Sequence, residues 1–309
     1  MKLKAAKELK STHTLRKACD FYMRTPKFAA ISGKSQIDYE RNLKIVCSTT
    51  VQSGRMLGNI KLKDLRFKHV TLAYDHWLLT QGVRSANYTA TCLSIVVNTA
   101  CRHEAMLANP VSLIQKSKAK PRKTKWTTPQ VKIFLDTAYS KWQWRSIGLI
   151  VHMAFHWAQR VGDMRLLEWD YLDLDNNTLD LEQRKRGANV FLPIQGGLIG
   201  MLNQQKEDFG FQPYVAPRVH PRAGAYSPYE DYEICGLVNE VKREAELPAD
   251  LTAMDLRRTA ITQMVERGVD VVGIMQVSGH ASPQSVTPYL VNTLAGATEA
   301  LSNREDDLI

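Results

Sequence analysis

The stretch Gln115-Lys116-Ser117-Lys118-Ala119-Lys120-Pro121-Arg122-Lys123-Thr124-Lys125 is polar, basic and interrupted by proline. It cannot supply a buried face, so it reads as an interdomain linker. The 309-residue chain therefore divides into two parts, each long enough to bury its own core. The two parts differ sharply in charge. Residues 1–125 carry 24 Lys/Arg against 7 Asp/Glu, a net of +17, and residues 126–309 carry 17 against 24, a net of −7. A strongly basic half points to a polyanion as partner. A soluble basic domain with no such partner is the plainer alternative. The linker fits equally a strand lying along a phosphate backbone and a solvated hinge.

No uninterrupted apolar run is long enough to span a bilayer. The basic start Met1-Lys2-Leu3-Lys4 lacks a following apolar region and a small-residue cleavage site, so it does not read as a signal peptide. The five cysteines, Cys19, Cys47, Cys92, Cys101 and Cys235, form no C-x-x-C pair and are odd in number. This suits a reducing cytosol and implies no zinc site.

Residues 1–20 read as a frayed segment or a short helix. From about Thr14 to Leu113 apolar residues recur three or four apart, as in Val70-Leu72-Ala73-Trp77-Leu78, and breakers are few. A bundle of about four helices fits this. Beyond the linker, Thr127-Thr128-Pro129 gives a helix start, with helices expected over 129–140 and 144–159. After Trp169 the period changes to two, in 171–174, 178–181 and 190–192. Asn176-Asn177 and Arg186-Gly187 provide the turns, which predicts a three-stranded antiparallel sheet. Helices resume near 197–205, 229–246 and 255–267, the last ended by Gly268.

The chemistry-bearing residues are Arg160, in Arg160-Val161-Gly162-Asp163; Lys185, in the turn Gln183-Arg184-Lys185-Arg186-Gly187; Arg257, in Asp255-Leu256-Arg257-Arg258-Thr259; His280, after Ser278-Gly279; and Tyr289. Together they form a set suited to phosphoryl transfer. Tyrosine attack on a phosphodiester gives a pentavalent transition state with extra negative charge, and Arg is the best fixed, bidentate clamp for it. Each residue has a plainer role open to it. Arg160 and Arg257 could be ion-pair partners, Lys185 part of a solvated turn, His280 a helix cap and Tyr289 a core residue. Yet each arginine lies in or beside an apolar helix, where an unpaired guanidinium is costly and a bound phosphate would offset the cost. Of the other histidines only His152 and His156 have helical spacing for a metal. Without the Glu of H-E-x-x-H they read as packing.

In this order and spacing the residues resemble the tyrosine recombinase (phage integrase) family, over about 126–309 and less specifically over the helical first half. Trp157-Ala158-Gln159-Arg160-Val161-Gly162-Asp163 looks like the family's first box, with Arg160 as first catalytic arginine and Asp163 as the acid that helps orient the site. The hairpin from Gln183 to Pro193 looks like the catalytic-lysine hairpin, with Lys185 at the lysine position. Arg257 falls at the second arginine, Gly279-His280 at the third box and Tyr289 at the nucleophile. One position departs: Met254 stands three before Arg257, where the family usually has His.

The resemblance implies a mainly α fold with a small antiparallel β-sheet, in a two-domain C-shaped DNA clamp. Residues 1–114 would be a helical, SAM-like core-binding domain, 115–125 the linker, and 126–309 the catalytic domain with its C-terminal tail. It implies a site-specific DNA recombinase that integrates or excises a phage or mobile element. Tyr289 attacks the scissile phosphate, Arg160, Arg257 and His280 hold the non-bridging oxygens, and Lys185 protonates the departing 5′ oxygen. The 3′-phosphotyrosyl link conserves the bond energy, so no nucleotide cofactor or metal is chemically required. The implied partners are double-stranded DNA with a specific site, a homotetramer on that DNA joined through about 290–309, and accessory DNA-bending or directionality proteins, with no membrane. The implied place is the bacterial cytoplasm or nucleoid. Alternatives of the same chemistry are a chromosome or plasmid dimer resolvase and a type IB topoisomerase-like nicking-closing enzyme. A DNA-binding protein that lost catalysis is a third, supported only by Met254.

Overall fold

A computed structural model of the chain describes residues 8–289, apart from 52–53, 121, 123 and 186. The expectations for residues 1–7 and for the 290–309 tail lie outside the described residues. The chain forms two compact units, Met1–Arg122 and Lys123–Ile309. No helix among the described residues is long and apolar enough to cross a membrane. All five cysteines are free thiols.

The first unit is helical: α1 (Leu15–Tyr22), α2 (Pro26–Ala29), α3 (Gly33–Ser48), α4 (Phe67–Gln81) and α5 (Val83–Arg102). About four helices were expected; the four-residue α2 is the addition. Side-chain oxygens of Thr14, Thr25 and Ser32 cap the first three helices, each satisfying an amide that the helix leaves open. Gly82 separates α4 from α5 at φ +76°, a left-handed turn that a side chain would strain. The core gathers Leu15 and Tyr22 of α1, Val46 of α3, Trp77 of α4 and Leu93 and Val97 of α5. Trp77 is fully buried, and its indole N–H donates to Thr49 Oγ1 at 2.7 Å. Truncating such a side chain to Ala costs about 3–5 kcal/mol. Every described Lys and Arg of this unit is exposed.

The stretch 115–125, expected as a linker, is hydrogen-bonded or ion-paired near each of its ends. Ser117 N donates to the Tyr74 hydroxyl at 2.8 Å, and Asn87 Nδ2 donates to Ser117 O at 2.8 Å. At the other end Lys125 pairs with Glu266 at 2.7 Å. Trp126 N donates to Thr259 Oγ1 at 2.9 Å, and its indole N–H to Thr252 O at 2.9 Å.

The second unit holds α6 (Thr128–Tyr139), α7 (Arg145–His156), the short α8 (Val161–Met164), the sheet, then α9 (Gly197–Phe209), α10 (Asp231–Glu244), α11 (Asp255–Glu266) and α12 (Val271–Ser278). Thr127 and Gln130 form a reciprocal capping box at the start of α6. Strands β1 (Leu172–Asp173), β2 (Thr178–Glu182) and β3 (Asn189–Pro193) pair antiparallel in chain order. Leu179 lies opposite Leu192, and Leu181 opposite Val190. These four point inward onto a core that includes Trp126, Phe134, Ile150 and Leu202. The expected mainly helical architecture with a small antiparallel sheet is therefore present. Helix α12 was not anticipated, because Val271-Val272-Gly273-Ile274-Met275 is a short apolar run that suits strand and helix alike. Asp270 decides it by capping, with its Oδ1 accepting from Gly273 N at 2.8 Å.

Candidate active site

Helix α7 stops at His156, and Ala158 at φ +50° turns the chain so that Gln159 and Arg160 enter α8. Arg160 occupies the N-cap of α8, with its side chain about a quarter exposed. Its Nη1 donates to Gln183 Oε1 at 2.8 Å and lies 3.6 Å from Asp163 Oδ2. Asp163 is buried within the first turn of α8.

Gln183 is the centre of the arrangement. It is fully buried, one residue beyond β2, on the same inward phase as Leu179 and Leu181. Its Oε1 accepts from Arg160, while its Nε2 donates to Gln159 Oε1 at 2.6 Å and to Ser278 O at 2.9 Å. Gln159, also fully buried, donates in turn to Trp157 O at 2.9 Å and Val277 O at 2.7 Å. A buried amide group left without a partner costs about 1–3 kcal/mol. This network spends both Gln183 amide protons and one oxygen lone pair on protein groups.

The same Ser278 carbonyl accepts from Arg257 Nη2 at 2.7 Å. Arg257 projects from the first turn of α11 and is buried. The two arginines, 97 positions apart in the chain, are thus joined through one glutamine and one carbonyl. Gly279 ends α12 in the left-handed conformation at φ +66°, and its N–H returns to Met275 O at 2.8 Å. That turn releases His280 toward the site. Ser278 Oγ donates to Ile274 O at 2.5 Å and meets His280 Nδ1 at 2.7 Å. The hydroxyl's one proton is committed to Ile274, so Nδ1 carries the proton in the second contact.

Tyr289 closes a short turn in which its N–H donates to Val286 O at 2.8 Å. Val286 is fully buried in a small cluster with Ala158, Ile261 and Ile274, which ties the turn to α11 and α12. The Tyr289 ring sits half-buried, 5.7 Å from the His280 ring between centroids, and the Arg258 guanidinium lies 5.7 Å from its centroid.

The fold therefore gathers Arg160, Asp163, Arg257 and His280, with Tyr289 beside His280. Lys185 stands apart, exposed on the turn between β2 and β3 with no hydrogen bond or ion pair to a described residue. Met254 occupies the N-cap position of α11, without a capping side-chain hydrogen bond, and is 84% exposed. Its neighbour Asp255 is turned inward, accepting from Thr252 N at 3.0 Å and Thr252 Oγ1 at 2.7 Å. Sequence reasoning gave no role to Gln159, Gln183 or Ser278. One signal was available: the alternation of β2 puts a polar Gln183 on the buried phase. His152 and His156 pack, and the Tyr139 hydroxyl meets His152 Nδ1 at 3.0 Å.

A model of the phage integrase family matches residues 127–294, more than half of the chain. The integrase of Escherichia phage HK022 is 24% identical over 164 residues, which is 53% of this chain and 43% of that protein. A shufflon-specific DNA recombinase of Escherichia coli is 24% identical over 184 residues, 59% of this chain and 44% of that protein. The matched stretches thus span less than half of either relative. A solved lambda integrase dimer bound to a core site superposes with a TM-score of 0.76 at 19% identity, covering 96% of this chain and 99% of that one. The Tn1549 transposon integrase, in complex with a circular intermediate DNA, gives 0.74 at 14% identity, covering 94% and 100%. The chain belongs to the phage integrase family.

Proposed function

We propose that this protein is a site-specific DNA recombinase that breaks and rejoins strands through a 3′-phosphotyrosyl intermediate. The observation that carries the reading is the joining of Arg160 and Arg257 through Gln183 and the Ser278 carbonyl, with His280 and Tyr289 alongside. Two guanidinium groups fixed in one network present donors for the equatorial oxygens of a phosphoryl group, where charge accumulates in the transition state.

In this reading Tyr289 attacks the scissile phosphate in line, forming its bond to phosphorus as the bond to the 5′ oxygen breaks, and its phenolic proton passes to water or to a phosphate oxygen. Arg160, Arg257 and His280 hold the non-bridging oxygens, and Asp163 steadies Arg160. Lys185 delivers the proton to the departing 5′ oxygen. Its exposed position on the 183–188 turn leaves the ammonium accessible to a duplex laid across the site. The 5′ hydroxyl of a partner strand then reverses the step. Residues 1–114 serve as the core-binding domain, 115–125 as the linker and 126–309 as the catalytic domain. Exchange between two duplexes requires a homotetramer on DNA, and the setting is a bacterial cytoplasm or nucleoid.

The test is trapping on a duplex nicked close to the scissile phosphate, so that the released fragment diffuses away and the covalent adduct accumulates. Peptide mapping should find the nucleotide on Tyr289, and Tyr289→Phe should form no adduct while shifting DNA on a gel as the native chain does. An adduct surviving in the Phe variant, or mapped elsewhere, would overturn the assignment.

A further inference from the structure

We propose that Gln183 is a positioning residue that sets the two phosphate-clamping arginines relative to each other; this rests on the strand-cleavage reading above and deepens it. Its side chain makes three hydrogen bonds: Oε1 accepts from Arg160 Nη1 at 2.8 Å, and Nε2 donates to Gln159 Oε1 at 2.6 Å and Ser278 O at 2.9 Å. Through Ser278 O the network reaches Arg257 Nη2 at 2.7 Å. The carboxamide is planar, so fixing its nitrogen by two acceptors fixes the direction in which its oxygen holds Arg160. Only an amide supplies one acceptor and two donors in that plane. A carboxylate lacks the donors, an ammonium lacks the acceptor, and a thioether of the same length has no donor and only a weak acceptor.

Gln183 also frames the turn that carries Lys185. Its N–H donates to Ala188 O at 2.8 Å, and its own carbonyl accepts from Gly187 N at 2.8 Å. The base of the lysine turn and the two guanidinium groups therefore share one buried reference point. Burial makes this point stiff, because no water is at hand to replace a lost partner. The surroundings are built for it. Position 279 is glycine, and a Cβ there would come within 2.4 Å of Gln183 Nε2.

Gln183 touches no reacting atom, so its loss should act on arginine geometry and not on DNA affinity. Displacing a catalytic group by about 1 Å can cost roughly a hundredfold in rate. The experiment compares Gln183→Met and Gln183→Glu with the native chain in single-turnover adduct formation. Two nicked duplexes are used, one with an ordinary scissile phosphate and one with a methylphosphonate there. The methylphosphonate lacks one charged non-bridging oxygen, so its transition state depends less on the arginine clamp. For Gln183→Met we expect roughly a hundredfold slower attachment on the phosphate duplex and a markedly smaller deficit on the methylphosphonate duplex. Gln183→Glu keeps the acceptor for Arg160 and should fall between. Gel-shift affinity should stay within about threefold for both variants, since the phosphate contacts that dominate binding lie elsewhere. The ratio of the two rates does not depend on the fraction of protein folded, so a merely destabilised variant would lose both rates equally. A native ratio in Gln183→Met, with the native chain reacting through Tyr289, overturns the positioning role alone. No adduct from the native chain on either duplex overturns the cleavage reading and this inference with it.

Discussion

The carboxamide of Gln183 is seated against Gly279 so closely that any side chain at 279 would collide with it. A methyl group on Gly279 would lie 2.4 Å from Gln183 Nε2, 2.8 Å from its Cδ and 3.0 Å from its Oε1. Gly279 also holds φ +66°. Gly279→Ala therefore meets both a left-handed backbone penalty of about 1–2 kcal/mol and a displaced carboxamide. The expected outcome is a lower unfolding free energy in urea titration together with slowed adduct formation by the folded protein. Lost stability with an unchanged rate would separate Gly279 from the arginine network.

Position 254 is open to solvent. Met254 is 84% exposed at the start of α11, so it fills no apolar niche. Met254→His should fold as the native chain does and should not reduce single-turnover cleavage. A positioned general base contributes roughly a hundredfold or more, so a gain is the direction to look for. A dead His variant would mean that the second arginine box is misplaced by the alignment of its first residue.

DNA affinity should fall steeply with salt, and most of it should reside in the first unit. Residues 1–125 carry the net +17, and every described cation of that unit is exposed. Each neutralised phosphate releases a counterion, so log affinity falls linearly with log salt. A fragment beginning at Lys123 is expected to bind duplex roughly tenfold or more weakly than the full chain at about 0.1 M salt. Equal binding by the fragment in a fluorescence titration would contradict this.

His152 makes stability depend on pH. Burial, with a smaller contribution from His156, lowers its pKa from 6.5 to about 4. Burial lowers His156 as well. The unfolded chain binds the proton more readily, so the stabilisation is fully present above pH 6.5. It is lost progressively as pH falls toward 4, by about 3 kcal/mol for His152. His152→Gln retains an acceptor for the Tyr139 hydroxyl and removes the titration. Urea unfolding at pH 7 and pH 4.5 should show a smaller drop for the variant than for the native chain. Equal drops would place the acid sensitivity elsewhere.

Much of this protein was legible in the order of its residues because the signals are local. A helix start depends on neighbours three positions away, as Thr127 and Gln130 cap one another at 2.9 and 3.3 Å. Strand phase depends on every second residue, and Leu179, Leu181, Val190 and Leu192 do point inward. Motif spacing singled out Arg160, Arg257, His280 and Tyr289 as candidates, while their assembly could not be read from it. The contacts that assemble them join Gln183 to Ser278 across 95 positions and Gln159 to Val277 across 118. No local rule reaches that far, because which buried acceptor meets which amide depends on how α7, α12 and the sheet pack. Tertiary packing likewise decided that Gln183 lies buried while Lys185, two residues on, is exposed. It also decided that Met254 faces water while Asp255 turns inward, since a helix places successive side chains about 100° apart. The sequence by itself determined most of the elements, though not α2 or α12, and the chemical types available at the candidate site. The long-range hydrogen bonds, which form only once the apolar faces have brought those elements together, determined the geometry.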